Sequence, residues 1–368
     1  MNTDAKTNPA ATVTLAGKPR GPLASSGLGV SPAFRVNSML GSVDGNSWPL
    51  QALPKLPRLW AQEFHRKWLY LRNQEEFRHS PFSTILRLIS WRVKCLLRSP
   101  AIIRLENWDL QMFLPPEWGG IAKLAFAFRE RYEPELPYLE KILSPGMTFV
   151  DAGACYGLYT LAASKIVGES GRVIAFEPAI RAFRVLQKNV ALNSLANVLV
   201  FPMALAANPG KALLYHHPNV GCDSLGRDHS FTETAEEVAT ESLDNVLRKI
   251  SVGHVDVIKM DVQGAEELVL RGAMEILTSS HPAVIFEVYP PGTVLLGLSP
   301  YGAWDFLEKL GYEFFVVDRQ GTLRRELSPP ADRNVVAIHN QSSSASKSAL
   351  STQSKTREVF RSAFVYRE

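Results

Sequence analysis

A doubly wound α/β fold with a mainly parallel sheet is what the larger part of this 368-residue chain predicts, on three observations. From Met147 onward, short apolar runs alternate with stretches of helical period, joined by short connections. Runs such as "AVIF" in "AVIFEVYP" and "FFVV" in "YEFFVVD" are apolar at consecutive positions, as strands buried on both faces are. Finally, "FVDAGACYGLYTL", residues 149–161, passes from a strand through an acid and two glycines into a helix. That is the place in such a sheet where ligands bind, beyond the C-terminal ends of the strands.

The elements follow in order. Residues 1–45 are rich in Ala, Gly, Pro, Ser and Asn without apolar periodicity, which predicts a disordered leader. Residues 46–130 read as a basic extension of helices and short strands packed on the core. Between Gln51 and Arg104 eleven Lys/Arg face three Glu, a surplus of +8 in a chain whose total is +4. Any electrostatic partner is expected to meet this third of the chain. Within it, residues 82–98 place Phe82, Ile85, Leu86, Ile89, Val93, Leu96 and Leu97 on one helical face, with Arg87, Lys94 and Arg98 on the other. A basic amphipathic helix of this kind either packs its apolar face on the adjoining domain, the expected outcome, or lies on a membrane surface or a protein partner.

"LENWDLQMFLPPEWGG" reads as short strands and turns, and "ERYEPELPYLEKIL" as a helix ending before Pro145-Gly146. Then come strand "MTFVDAG", a helix to Ile166, strand "RVIAFEP", a helix over 180–192 and strand "NVLVFPMAL". The second half continues with helix "ESLDNVLRKI", strand "VDVIKMDV", one helix over 265–277, strand "AVIFEVYP", helix "YGAWDFLEKLG", strand "YEFFVVD" and a closing strand "NVVAIH". Residues 341–368 read as a Ser-rich flexible tail.

A hydrophobic content of 46% is enough for a substantial core, and no run approaches 18 consecutive apolar residues. The N-terminus lacks the apolar stretch of a signal peptide, so a cytoplasmic address is expected, with peripheral membrane contact through residues 82–98 left open. Cys95, Cys155 and Cys222 lack disulfide or metal-ligand spacing and are expected to be reduced thiols. No nucleic-acid module accompanies the basic surplus, so no nucleic-acid partner is expected.

The ligand is read from the loop after the first strand. A dinucleotide fingerprint needs G-x-G-x-x-G, and after Gly153 the second and third glycines are missing, with Cys155 and Leu158 in their places. Gly153 and Gly157 are expected to let the backbone approach the ligand closely. Glu177, ending the second strand in "FEP", is placed to accept hydrogen bonds from two ribose hydroxyls, and Asp151 to meet a cationic or amino-acid portion. A nucleoside joined to an amino acid without phosphates satisfies both, and S-adenosylmethionine is such a molecule.

Together "FVDAGACYGLYTL", "VIAFEPAIRAFRVLQKNVALN", "ESLDNVL" and "VDVIKMDVQGAEELVLRGA" resemble the FkbM-type family of S-adenosylmethionine-dependent methyltransferases. The resemblance covers about residues 130–290. It implies a Rossmann-like class I methyltransferase fold over 131–340, seven-stranded with the last strand antiparallel, and most often O-methylation. It implies that Asp151, Gly153, Tyr156 and Gly157 form the methionine-side turn, Glu177 holds the ribose, Met203-Ala204 borders the adenine, and Asp261 lies beside the sulfonium. There are two departures: Cys155-Tyr156 where the family usually has Asn-Ile, and Gln263 where it usually has Glu. If the second departure matters, Gln263→Glu is expected to raise turnover.

Transfer to a hydroxyl requires alignment and removal of one proton. Candidates for that base are Asp261, Glu287 and His217, with His216 beside it; Asp261 could instead cap the helix after it, Glu287 a helix end, and the histidines could be ordinary loop residues. "HHPNVGCDSLGRDHSF" is placed to cover the site, with Asp223 or Ser224 meeting the ligand, or is a plain surface connection. No metal-ligand cluster is present in the sequence, so a metal-independent reaction is expected. The acceptor expected is a sugar, a lipid-linked glycan or a secondary-metabolite hydroxyl. The alternative is a binding or scaffold protein that keeps the fold without turnover and docks through its basic helix; a nicotinamide dehydrogenase ranks below both.

Overall fold

The computed structural model describes residues 65, 68–318 and 321–341; the expected leader and almost all of the Ser-rich tail lie outside them. Strands β1 (Ala101–Leu105) and β2 (Leu110–Leu114) form an antiparallel hairpin. The next strands are β3 (Thr148–Ala152), β4 (Arg172–Phe176), β5 (Val198–Phe201), β6 (Ala204–Leu205), β7 (Gly210–Tyr215) and β8 (Ala235–Glu241). They are followed by β9 (Val257–Met260), β10 (Ala283–Val288), β11 (Tyr312–Val317), β12 (Leu323–Glu326) and β13 (Arg333–His339).

Eight of these form the main sheet in the order β12-β11-β13-β10-β9-β3-β4-β5. β5, β4, β3, β9 and β10 are parallel neighbours, while the last strand, β13, inserts between β10 and β11 antiparallel to both. This is the expected seven-stranded class I order, with β12 added outside β11. Consecutive residues go to opposite faces. Phe149, Val173 and Ile285 join the core beneath the helices Leu158–Val167 and Ile180–Leu192, whereas Val150, Ile174 and Phe286 join the core beneath Leu243–Lys249 and Gly302–Lys309. Burial on both faces is why these strands read as unbroken apolar runs.

Several expected elements are divided. The strand "NVLVFPMAL" breaks at Pro202, which cannot donate to a ladder. β5 stays in the main sheet and β6 joins a separate sheet of order β6-β8-β7. The helix expected over 265–277 is two, Glu266–Arg271 and Met274–Ser279. Between them Gly272 lies so close to the Ala206 carbonyl and the Ser242 backbone that a Cβ would not fit. The helix Gly120–Phe128, β8 and β12 were not anticipated.

The basic amphipathic helix, Pro81–Leu96, is present but turned opposite to expectation. Its buried residues are Thr84, Trp91 and Cys95, while Phe82, Ile85, Leu86, Ile89, Val93, Leu96 and Leu97 are exposed. Polar demands set this orientation. Trp91 Nε1–H donates to the Glu117 carbonyl at 2.7 Å, and Arg87, expected outside, pairs at 2.8 Å with buried Glu76. Trp91 stacks near Phe126, with ring centroids 4.9 Å apart, and joins the same buried cluster as the β1–β2 hairpin and the helix Leu158–Val167.

Candidate active site

The loop after β3 is held from three sides. Gly153 N–H and Ala154 N–H both donate to the Phe176 carbonyl of β4, at 3.0 and 2.9 Å. Gly153 and Gly157 have φ of 78° and 90°, in the left-handed region. A Cβ on Gly153 would overlap the Asp261 carbonyl, and one on Gly157 the Leu186 side chain. Positive φ at both positions, and at Gly153 the Asp261 backbone as well, call for glycine before any ligand is considered. Cys155 also has positive φ, 50°, a conformation Asn tolerates better than most side chains, which accounts for the residue usual in the resembling family.

Glu177 joins this loop to the next. Its carboxylate accepts Cys155 N–H at 2.7 Å and Ala179 N–H at 2.8 Å. Burial pushes its pKa up to about 7 against the opposing pull of those two donors. Asp151 lies under the loop, fully buried, accepting from Thr160 Oγ1–H at 2.6 Å, with Lys259 Nζ 3.9 Å from its other oxygen. Burial raises its carboxyl and Lys259 opposes the rise. Tyr156 is also buried, its hydroxyl donating to Glu117 at 2.8 Å, so its side chain is turned away from the sheet edge.

A cleft opens above this floor, lined by Gly153, Phe176, Glu177, Ala179, Met203, Ala204, Leu205, Leu214, Asp261 and Gln263. The sequence-derived candidates Gly153, Glu177, Ala204 and Asp261 meet there; Asp151, Tyr156 and Gly157 support it from outside. Apolar walls around Met203, Ala204 and Leu214, a carboxylate at Glu177 and a second at Asp261 fit an adenosyl group with an amino-acid arm: a flat ring, vicinal hydroxyls and an ammonium.

A second cleft adjoins it, lined among others by His217, Ser224, Asp228, Ser230, Phe231, Tyr289 and Leu295, and shares Ser224 and Gln263 with the first. The segment 216–231 forms the partition. It is tied down by the Tyr215–Ser224 bridge, by Ser224 Oγ–H donating to the Gln263 carbonyl at 3.1 Å, and by Ile121 N–H donating to the Val220 carbonyl. His217 Nδ1 accepts Asn219 N–H at 3.0 Å, which places the proton of the neutral ring on Nε2, and burial holds its pKa below the ordinary value. The Nε2 of His217 is thus a donor rather than a base. His216 lies between Asp223 and Glu236, at 3.1 and 3.8 Å, and lines neither cleft.

Gln263, at φ 55°, is the hinge between the clefts. Its Nε2 donates to Asp261 Oδ1 at 2.8 Å and to Glu287 Oε2 at 3.3 Å. Glu287 therefore sits behind Gln263, its carboxyl pushed well up by burial and by the Asp261 charge. Asp261 does not cap the following helix. That helix, Glu266–Arg271, has no side-chain cap; Glu266 instead braces the loop before it, accepting Val262 N–H at 3.1 Å and Gly264 N–H at 3.3 Å.

Three participants escaped the sequence reading. Lys259, buried in β9, is 3.6 Å from Asp261 and holds it beside Asp151; a lone lysine inside "VIKM" was the available signal. Glu133 accepts Tyr159 O–H at 2.6 Å, and burial and Asp261 push its carboxyl up. Glu117 receives Tyr156 and Arg181. Neither glutamate has a local pattern that marks it.

Residues 151–314 match the family described as Methyltransferase FkbM domain. Methyltransferase sdnD of Sordaria araneosa is 29% identical over 175 residues, covering 39% of this chain and 67% of that protein. Methyltransferase 1 of Beauveria bassiana is 28% identical over 142 residues, covering 33% of this chain and 57% of that protein. The chain thus spans about two thirds of one curated relative and little more than half of the other. Among solved structures, methyltransferase FkbM from Methylobacillus flagellatus KT is similar at a TM-score of 0.35 and 14% identity, over 59% of this chain and 53% of that one.

Proposed function

Because residues 151–314 form a methyltransferase FkbM domain, we propose that this chain uses S-adenosylmethionine to methylate a hydroxyl of a sugar, a lipid-linked glycan or a secondary metabolite. The observation that carries this reading is the meeting of two clefts at Gln263 and Ser224, one suited to an adenosyl amino acid and the other to an acceptor. The second cleft mixes His217, Ser230 and Tyr289 with Phe231 and Leu295, which suits an acceptor having hydroxyls on an apolar body.

When bound, the cofactor supplies a methyl group already activated on a sulfonium. The residues of this chain bind, orient and take the proton. Glu177, each oxygen already holding one backbone N–H, has lone pairs left for two ribose hydroxyls. Asp261, on the wall of the first cleft beside the shared residue Gln263 and fixed by Gln263 and Lys259, meets the cofactor's ammonium and is also the carboxylate we assign to take the acceptor's proton. His217 donates from Nε2 to orient the acceptor oxygen. Glu287 acts through Gln263, as a positioning group.

Calorimetric titration with S-adenosylhomocysteine, with NADH for comparison, tests the cofactor. Micromolar binding of the former alone is expected; tighter NADH binding would overturn the reading. Glu177→Ala should weaken binding by about 1.5–3 kcal/mol, the scale of hydrogen bonds to a charged group. A change under about 0.3 kcal/mol would place the ribose elsewhere. Ribose donors favour the ionised carboxylate, whose pKa in the free protein is about 7, so affinity should increase from pH 6 to pH 8 in the parent and not in Glu177→Ala.

A further inference from the structure

We propose that the outward face of the helix Pro81–Leu96 docks this protein on an anionic membrane surface. Seven apolar side chains cover that face, and the largest are open: Phe82 is 84% exposed, Leu86 66%, Leu96 70% and Leu97 73%. At 100° per residue the seven fall within an arc of about 120°, along a helix about 24 Å long. The opposite face is already committed. Thr84, Trp91 and Cys95 are buried, and Arg87 is engaged with Glu76 and the Ala127 carbonyl, so the helix cannot roll to bury its apolar side without giving up these contacts.

Charge identifies the occupant. Between Phe77 and Leu105 there are six Lys/Arg and no Asp or Glu. Arg92 and Arg98 are exposed, and Arg92 and Lys94 stand on either side of the apolar arc. An apolar stripe with Arg92 and Lys94 beside it and no carboxylate on its own helix suits acyl chains below and lipid phosphates or carboxylates alongside. No helix among the described residues is long and apolar enough to cross a membrane, so the docking is peripheral. This surface is separate from the two clefts, and its test needs neither cofactor nor acceptor.

The test is flotation of the full-length chain with vesicles of phosphatidylcholine alone, or with about a third phosphatidylserine. The chain should float with the anionic vesicles, at least tenfold more than with neutral ones, and the difference should shrink in high salt. Leu86→Glu and Leu96→Ser should each reduce flotation at least tenfold while leaving thermal unfolding unchanged, because both side chains are solvent-facing. Arg92→Glu combined with Arg98→Glu should abolish the preference for anionic lipid. Absence of flotation, or equal flotation by the Leu variants, would overturn the proposal. So would a dimer in light scattering that Leu86→Glu dissociates, which would give the face to a second copy. A lowered melting temperature in both Leu variants would assign the face to another segment of the same chain and overturn the proposal equally.

Discussion

Gln263 and Gly153 show how differently a residue reads in a motif and in three dimensions. By resemblance, Gln263 is a missing carboxylate. In the fold its amide nitrogen is the donor that two carboxyls, Asp261 and Glu287, share. A glutamate there would bring a third carboxyl and remove the donor, a cost in stability that stands against the expected gain in turnover. Gln263→Glu should lower stability by about 1–3 kcal/mol at pH 8, the cost of unsatisfied buried polar groups. Crowding raises the added carboxyl's folded pKa, so the loss should be smaller at pH 5, where it is protonated. Urea unfolding at both pH values decides this; unchanged stability at pH 8 would mean the amide donor is dispensable. Gly153 combines φ 78° with a site where a Cβ overlaps the Asp261 carbonyl. Gly153→Ala should therefore cost about 2–3 kcal/mol of folding stability. A role confined to ligand clearance would leave the unfolding curve in place.

At the scale of elements, the helix Glu135–Ile142 brings an acid into the protein interior. Glu135 is 2% exposed, and burial and the Glu133 charge push its pKa up to about 8 against the Asn334 amide. Glu177 and Glu266 are each raised to about 7, also chiefly by burial. Raised acids bind more protons folded than unfolded, so their contribution to stability is greatest below the ordinary value near 4.5 and is lost as pH rises through 7 to 8. The melting temperature should fall between pH 5 and pH 8, and Glu135→Gln should flatten the slope. An unchanged slope in that variant would show that Glu135 keeps its ordinary proton affinity in the fold. The helix at Pro81–Leu96 follows the same logic of polar satisfaction. Indole N–H and guanidinium partners, not the count of apolar residues, decided which side faces inward.

For the molecule as a whole, the N-terminal hairpin and helix share one buried cluster with the main sheet. Trp91, 1% exposed, sits at that junction, and Trp91→Ala should cost about 3–5 kcal/mol and lower a single cooperative transition. Two resolved transitions would mean that residues 75–128 unfold on their own. The sheet was legible in the sequence because strands buried on both faces leave consecutive apolar runs. Asp261, Glu177 and Gly153 were legible as cleft residues because strand ends of a doubly wound sheet converge. The inner face of a lone amphipathic helix was not, since either side reads as amphipathic until its polar partners are known. Nor were Lys259, Glu133 and Glu117, or the packing reason for glycine at 153. Each depends on a group distant in the chain, an Asp261 carbonyl or a Tyr159 hydroxyl, that folding alone brings into contact. The order of elements and the line of the cleft were therefore written in local pattern, whereas the proton and charge arrangement within the cleft was decided by tertiary contact, because electrostatic partners act through space rather than along the chain.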